Sequence, residues 1–173
     1  IIKTNKTDLC NNIEPYLGKV TLPLFKNLRE KIMDLSVDPL KQAVYYFIIN
    51  RCSFSGATLS GGFSEESSQK RFTKSSIERI SKLNLEKVKI SNTDFTEFIP
   101  DSIEQNELLF LDPPYYLEKA SNLYGNNGDM HEAFDHNALF TQLSNKKRWM
   151  MTYNNCDYIK ELYKDFIIIE VDW

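Results

Sequence analysis

Apolar positions recur at helical spacing in the first half of the chain and at strand spacing in much of the second. Behind Thr21, residues Leu24, Leu28, Ile32 and Leu35 share one face of a helix, and the Thr hydroxyl is placed to cap it. Asp38-Pro39 starts another helix: the carboxylate accepts from the first free amides, and proline's fixed φ suits the first turn. From there to about Asn50 the chain is apolar on most sides, which predicts a largely buried helix. Ser53 to Ser68 is rich in Ser and Gly without periodicity and predicts a loop. Ser75 and Glu78 fit a capping box ahead of a short helix with Ile77, Ile80 and Leu83 inside. Residues 1–20 predict loop or short helix.

From Lys87 the period changes. Lys87 to Ser91 alternates like a strand, and Leu108-Leu109-Phe110-Leu111 is a short apolar run suited to a buried strand. Residues 117–134 are polar with scattered glycines and predict a loop. Asp135 then caps a helix carrying Leu139, Phe140 and Leu143. Arg148 to Tyr153 predicts a strand, Cys156 to Tyr163 a helix and Phe166 to Val171 a strand. Alternating strands and helices mean a parallel sheet with crossovers, so the expected fold class is α/β. The division falls between a helical and loop region, 1–86, and a sheet region, 87–173.

Charge alters this picture locally. Net charge is −3, which argues mildly against a polyanionic partner if it is spread evenly. Between Lys70 and Lys89, however, Lys70, Arg71, Lys74, Arg79, Lys82, Lys87 and Lys89 face only Glu78 and Glu86, a local footprint for phosphates. The longest apolar run, Ala43 to Ile49, is too short to cross a bilayer, so no membrane association is expected. Cys10, Cys52 and Cys156 show no paired metal spacing and fit a reduced, intracellular setting.

The candidate chemistry lies in Asp112-Pro113-Pro114-Tyr115, directly after the Leu108–Leu111 run. Each proline pushes its predecessor out of the α region, so Asp112 and Pro113 are held extended or turn-like. An acidic acceptor, a fixed Pro113 carbonyl and an aromatic ring then converge at a strand end, where open α/β sheets bind ligands.

This tetrapeptide resembles the catalytic motif of the amino-group DNA methyltransferases, in the adenine-N6 branch. Asn50-Arg51-Cys52-Ser53-Phe54-Ser55-Gly56, followed by Gly62-Phe63, resembles a segment of the Dam-like, D12-class members of that family. The resemblance covers most of the chain and implies a Rossmann-like methyltransferase sheet with a small helical target-recognition region. It implies that S-adenosylmethionine is the methyl donor and double-stranded DNA the acceptor. Asp112 and the Pro113 carbonyl would orient the adenine amino group, and Tyr115 would stack on the flipped base. Phe54 would wedge into the base stack, and Ser55 would face the base left unpaired. Arg51, Lys70, Arg71 and Lys74 are the accompanying DNA-contact candidates. Asn92-Thr93-Asp94-Phe95 resembles the segment flanking the cofactor's adenine, giving Asp94, Phe95 and Asp112 as cofactor contacts; a helix cap is the other reading of Asp94-Phe95.

Leu59 stands where the GATC-methylating branch places an arginine, which puts that target sequence in doubt. Asp135-His136 reads as capping and packing. A metal site from Asp129, His131, Asp135 and His136 is set aside, since methyl transfer needs no metal. The family usually carries a glycine-rich cofactor loop near its start. This chain shows none, so the expectation is an incomplete sheet in a fragment of a longer enzyme. A monomer is expected, and a cognate restriction endonuclease is a partner the resemblance allows. The rival readings are a cytosine-N4 methyltransferase, against which Asp112 weighs because those enzymes usually carry serine there, and an inactive DNA-binding remnant.

Overall fold

A computed structural model describes residues 1–117 and 134–172. The chain divides into two compact units, the first Ile1–Lys89 and the second beginning at Ile90. Among the described residues, no helix is long and apolar enough to cross a membrane.

The first unit is helical: α1 (Lys6–Ile13), α2 (Leu22–Ile32), α3 (Pro39–Cys52), α4 (Glu65–Lys70) and α5 (Lys74–Lys82). α3 is central, with α1 and α2 packed on it and α5 against α1. Leu9, Ile13, Phe25, Leu28, Ile48, Ile49 and Cys52 close the core. Asp38 caps α3 as its sequence requires, its Oδ1 accepting from the amides of Leu40 at 3.0 Å and Lys41 at 3.2 Å. The Thr21 hydroxyl caps α2.

The helical pattern of α2 overruns the helix. Leu35 is 95% exposed, because Asp34 Oδ1 takes the amide and hydroxyl of Ser36 and turns the backbone out of the helix. The predicted 53–68 loop gives way at Glu65 to α4, which starts where the Ser64 hydroxyl accepts from the amide of Ser67 at 3.1 Å. The capping box of α5 lies two residues earlier than expected. Thr73 and Ser76 cap each other's amides, a hydroxyl doing what Glu78 was expected to do.

The second unit holds α6 (Phe95–Phe98), β1 (Leu109–Leu111), α7 (His136–Leu143), β2 (Trp149–Met151) and α8 (Asp157–Leu162). β1 and β2 are parallel and adjacent, Leu109 opposite Trp149 and Leu111 opposite Met151. With α7 between them in sequence they make a β-α-β unit, which fits an incomplete α/β fold. Leu109, Leu111, Trp149 and Met151 pack on Ile99, Leu139 and Leu143. The apolar run at Leu108–Leu111 was expected to be a buried strand but is buried on one face only: Phe110 and its ladder partner Met150 point away from this core and are 56% and 52% exposed.

Two expected strands do not form. Lys87–Ser91 and Phe166–Val171 are irregular, and neither has a ladder partner among the described residues. Alternation fixes which way side chains face, but a strand exists only through its neighbour's hydrogen bonds. Ile90, Ile167 and Ile169 stay largely exposed. Of the loop expected at 117–134, residues 118–133 lie outside the described residues.

Candidate active site and nucleic-acid loop

β1 ends at Leu111 and delivers Asp112 to the surface. Its Oδ1 accepts from the Thr152 hydroxyl at 2.7 Å. The Thr152 amide donates to the Leu111 carbonyl at 3.1 Å, so the β1–β2 ladder runs up to Asp112. Two residues on, Asn154 Nδ2 donates to the Tyr116 carbonyl at 2.8 Å. Between them Tyr153 stacks on Tyr115, with ring centroids 5.8 Å apart and planes at 29°. Tyr115 keeps 37% of its surface exposed, while Pro113 and Pro114 are half-buried. Asp112, Pro113 and Tyr115 therefore share one braced, irregular segment, with neither turn nor bend, at the carboxyl end of a parallel strand.

Behind this segment is an aromatic layer. Tyr116 stacks on Tyr158 at 4.3 Å and meets the edge of His136 at 5.4 Å. The buried His136 shares a hydrogen bond through Nδ1 with the Tyr153 hydroxyl. Burial raises the Tyr153 phenol above its usual range, so it stays protonated. Asp135 caps α7, its Oδ1 accepting from Ala138 at 2.8 Å. Asp135 and His136 thus serve capping and packing. Among the described residues no His, Cys, Asp and Glu cluster suits a metal, and Asp129 and His131 lie outside them.

Sequence reasoning missed Thr152, Tyr153 and Asn154. Their signal was available: they are the polar residues that end the strand predicted next after the tetrapeptide's own.

Asp94 caps α6, with Oδ1 accepting from the Thr96 amide at 2.9 Å and hydroxyl at 2.6 Å. Those two bonds hold its carboxyl below the usual range, so it is charged at neutral pH. The side chain is open to solvent and both bonds fall on one oxygen. Phe95 is half-buried, its ring against Phe134 at 5.2 Å.

In the first unit, α3 runs into a tight loop from Ser53 to Phe63, closed by a bridge between those two residues. The Phe54 amide donates to the Gly62 carbonyl at 2.9 Å. Asn50 Nδ2 reaches the Gly56 carbonyl at 3.1 Å and the Thr58 hydroxyl at 3.0 Å, and the Thr58 amide donates to the Ser53 hydroxyl at 3.0 Å. The tip is left-handed at Ser55, Gly56 and Thr58, with φ of 50°, 75° and 54°. This braced loop presents Phe54, 69% exposed, and the exposed Ser55. Leu59 is half-buried within it.

The basic candidates separate. Arg71 turns inward, donating to the Ser53 carbonyl at 3.4 Å with its guanidinium against Gly56. Arg51 lies half-buried with its guanidinium 5.5 Å from the ring centre of Phe47. Lys70 and Lys74 are exposed, Lys70 pairing with Glu66 at 2.7 Å. Arg71 thus packs against the loop and Arg51 against Phe47, whereas Phe54, Ser55, Lys70 and Lys74 reach solvent.

Gly56 sits at the left-handed tip of the loop. A Cβ there would sit 2.7 Å from the Arg71 guanidinium, at a φ that L-residues disfavour. Gly56→Ala is expected to destabilise the protein by about 1–2 kcal/mol, read by chemical denaturation.

A family model for the D12 class N6 adenine-specific DNA methyltransferases matches residues 1–173. No curated protein matches the chain significantly.

Proposed function

The chain belongs to the D12 class N6 adenine-specific DNA methyltransferase family, and we propose from this that it methylates the N6 amino group of an adenine flipped out of double-stranded DNA, with S-adenosylmethionine as donor. The observation that carries the reading is the braced segment after β1: a carboxylate, a proline carbonyl and a half-open tyrosine ring.

The adenine amino nitrogen is a weak nucleophile because its lone pair is delocalised into the ring. Asp112 and the Pro113 carbonyl accept hydrogen bonds from its two N–H groups, which favours a pyramidal nitrogen and aims the lone pair. Tyr115 covers the face of the extrahelical base. The rate gain comes from orientation and pre-placed charge, with no covalent enzyme intermediate. S-adenosylmethionine, when bound, supplies an electrophilic methyl on a sulfonium. The chain's residues fit that molecule: Asp94 offers a charged, solvent-open acceptor for an adenine amino group, Phe95 an apolar wall beside it, and Asp112 a second carboxylate. The β-α-β unit supports a Rossmann-like sheet for residues 87–173, and the braced Phe54 loop supports target recognition for residues 1–86.

In the recognition region Phe54 enters the base stack and Ser55 faces the unpaired partner. Lys70 and Lys74 supply phosphate contacts. Replacing both with alanine is expected to flatten the salt dependence of DNA affinity by about one unit of slope per lost contact, with sequence preference kept. An unchanged slope would assign them to solvent. The reaction itself is tested by transferring labelled methyl to duplex DNA and hydrolysing the product to nucleosides. The label is expected in N6-methyldeoxyadenosine; label in N4-methyldeoxycytidine would overturn the reading.

A further inference from the structure

Three consecutive residues directly after β2 each touch a different part of the Asp112–Tyr116 segment. Thr152 bonds the carboxylate, Tyr153 backs the Tyr115 ring, and Asn154 bonds the Tyr116 carbonyl. The two bonds through Thr152 and Asn154 flank the catalytic segment on both sides. We propose that Thr152 is a positioning residue that divides the labour of the Asp112 oxygens, tying down Oδ1 and presenting Oδ2 to the amino group. The inference rests on the methyltransferase reading and deepens it.

The physical case is rotational. Asp112 is exposed, and an exposed carboxylate turns freely about its terminal torsion. A hydroxyl bond at 2.7 Å to one oxygen removes that freedom and fixes the plane in which the other accepts. The donor is itself fixed, because the Thr152 amide is bonded to the Leu111 carbonyl one residue before Asp112. Hydroxyl and carboxylate are thus tied to the same point of the ladder. Oriented acceptors act on the chemical step, so the loss should fall on kcat and leave substrate binding alone.

The test compares variants of the full-length protein. Thr152→Val keeps the shape and deletes the hydroxyl; it is expected to lower kcat by about ten- to a hundredfold, with KM for DNA and for S-adenosylmethionine within about threefold. Thr152→Ser keeps the hydroxyl and is expected to remain within about threefold of wild type. Ser and Ala at this position lose the same methyl and differ only in the hydroxyl. Their kcat ratio therefore isolates the bond even if the Val variant folds poorly. A Ser/Ala ratio near one, or a loss carried by KM, would overturn the inference while the methyltransferase reading stands. A wild-type protein that places no methyl on N6 would overturn both.

Discussion

Asp112→Ala is expected to lower methyl transfer by on the order of a hundredfold or more and to leave DNA affinity within a few-fold. The asymmetry follows from where the carboxylate sits. It ends β1, is held by a neutral hydroxyl, and belongs to the second compact unit, whereas Phe54, Ser55, Lys70 and Lys74 belong to the first. In the proposed role, its removal takes away an acceptor for the reacting amino group and no phosphate contact. The bond from Thr152 also loses its acceptor, but that hydroxyl is near enough to solvent to exchange it for water at little cost. Stability should therefore change little, and the loss reads as chemistry. Single-turnover rates and equilibrium DNA binding, measured on one preparation, check the pair. A variant that keeps a third of wild-type turnover sinks the role given to Asp112.

Tyr115→Ala has the next largest expected effect, on capture of the flipped base. Stacking of a base on an aromatic ring is worth about 1–3 kcal/mol, so the Ala variant should lose roughly a tenfold or greater share of the extrahelical state. Tyr115→Phe and Tyr115→Trp keep a face and should be milder. The ring's underside already rests on Tyr153, whose hydroxyl is bonded to the buried His136. The platform is therefore set before DNA arrives, and little side-chain entropy remains to be lost on binding. Fluorescence of 2-aminopurine at the target position reports the captured base. Equal signals and rates for Ala and Phe would remove the stacking role.

Much of this was legible in the chain. Thr21, Asp38 and Asp135 announce their helices because a cap is a local hydrogen bond between near neighbours. The non-helical course of Asp112–Tyr115 was legible because prolines act on the residue beside them. What failed was non-local. Lys87–Ser91 and Phe166–Val171 alternate correctly but gain no ladder, and a sequence does not print a strand's partner. Leu35 kept the helical spacing of α2 while the Asp34–Ser36 bonds ended the helix first. The loop around Phe54 was read from composition, which is silent on Asn50 and Arg71 folding back to brace it. Thr152, Tyr153 and Asn154 reach the Asp112–Tyr116 segment only across the sheet, from about forty residues away in sequence.

The central claim, that Asp112 presents an adenine amino group for methylation, is tested most directly in DNA. The gene and its Asp112→Ala variant are expressed in a host lacking adenine methylation, and genomic DNA is sequenced for modified bases. The account predicts N6-methyladenine at one recurring sequence with the wild-type gene and none with the variant. N4-methylcytosine, or N6-methyladenine undiminished in the variant, would contradict it.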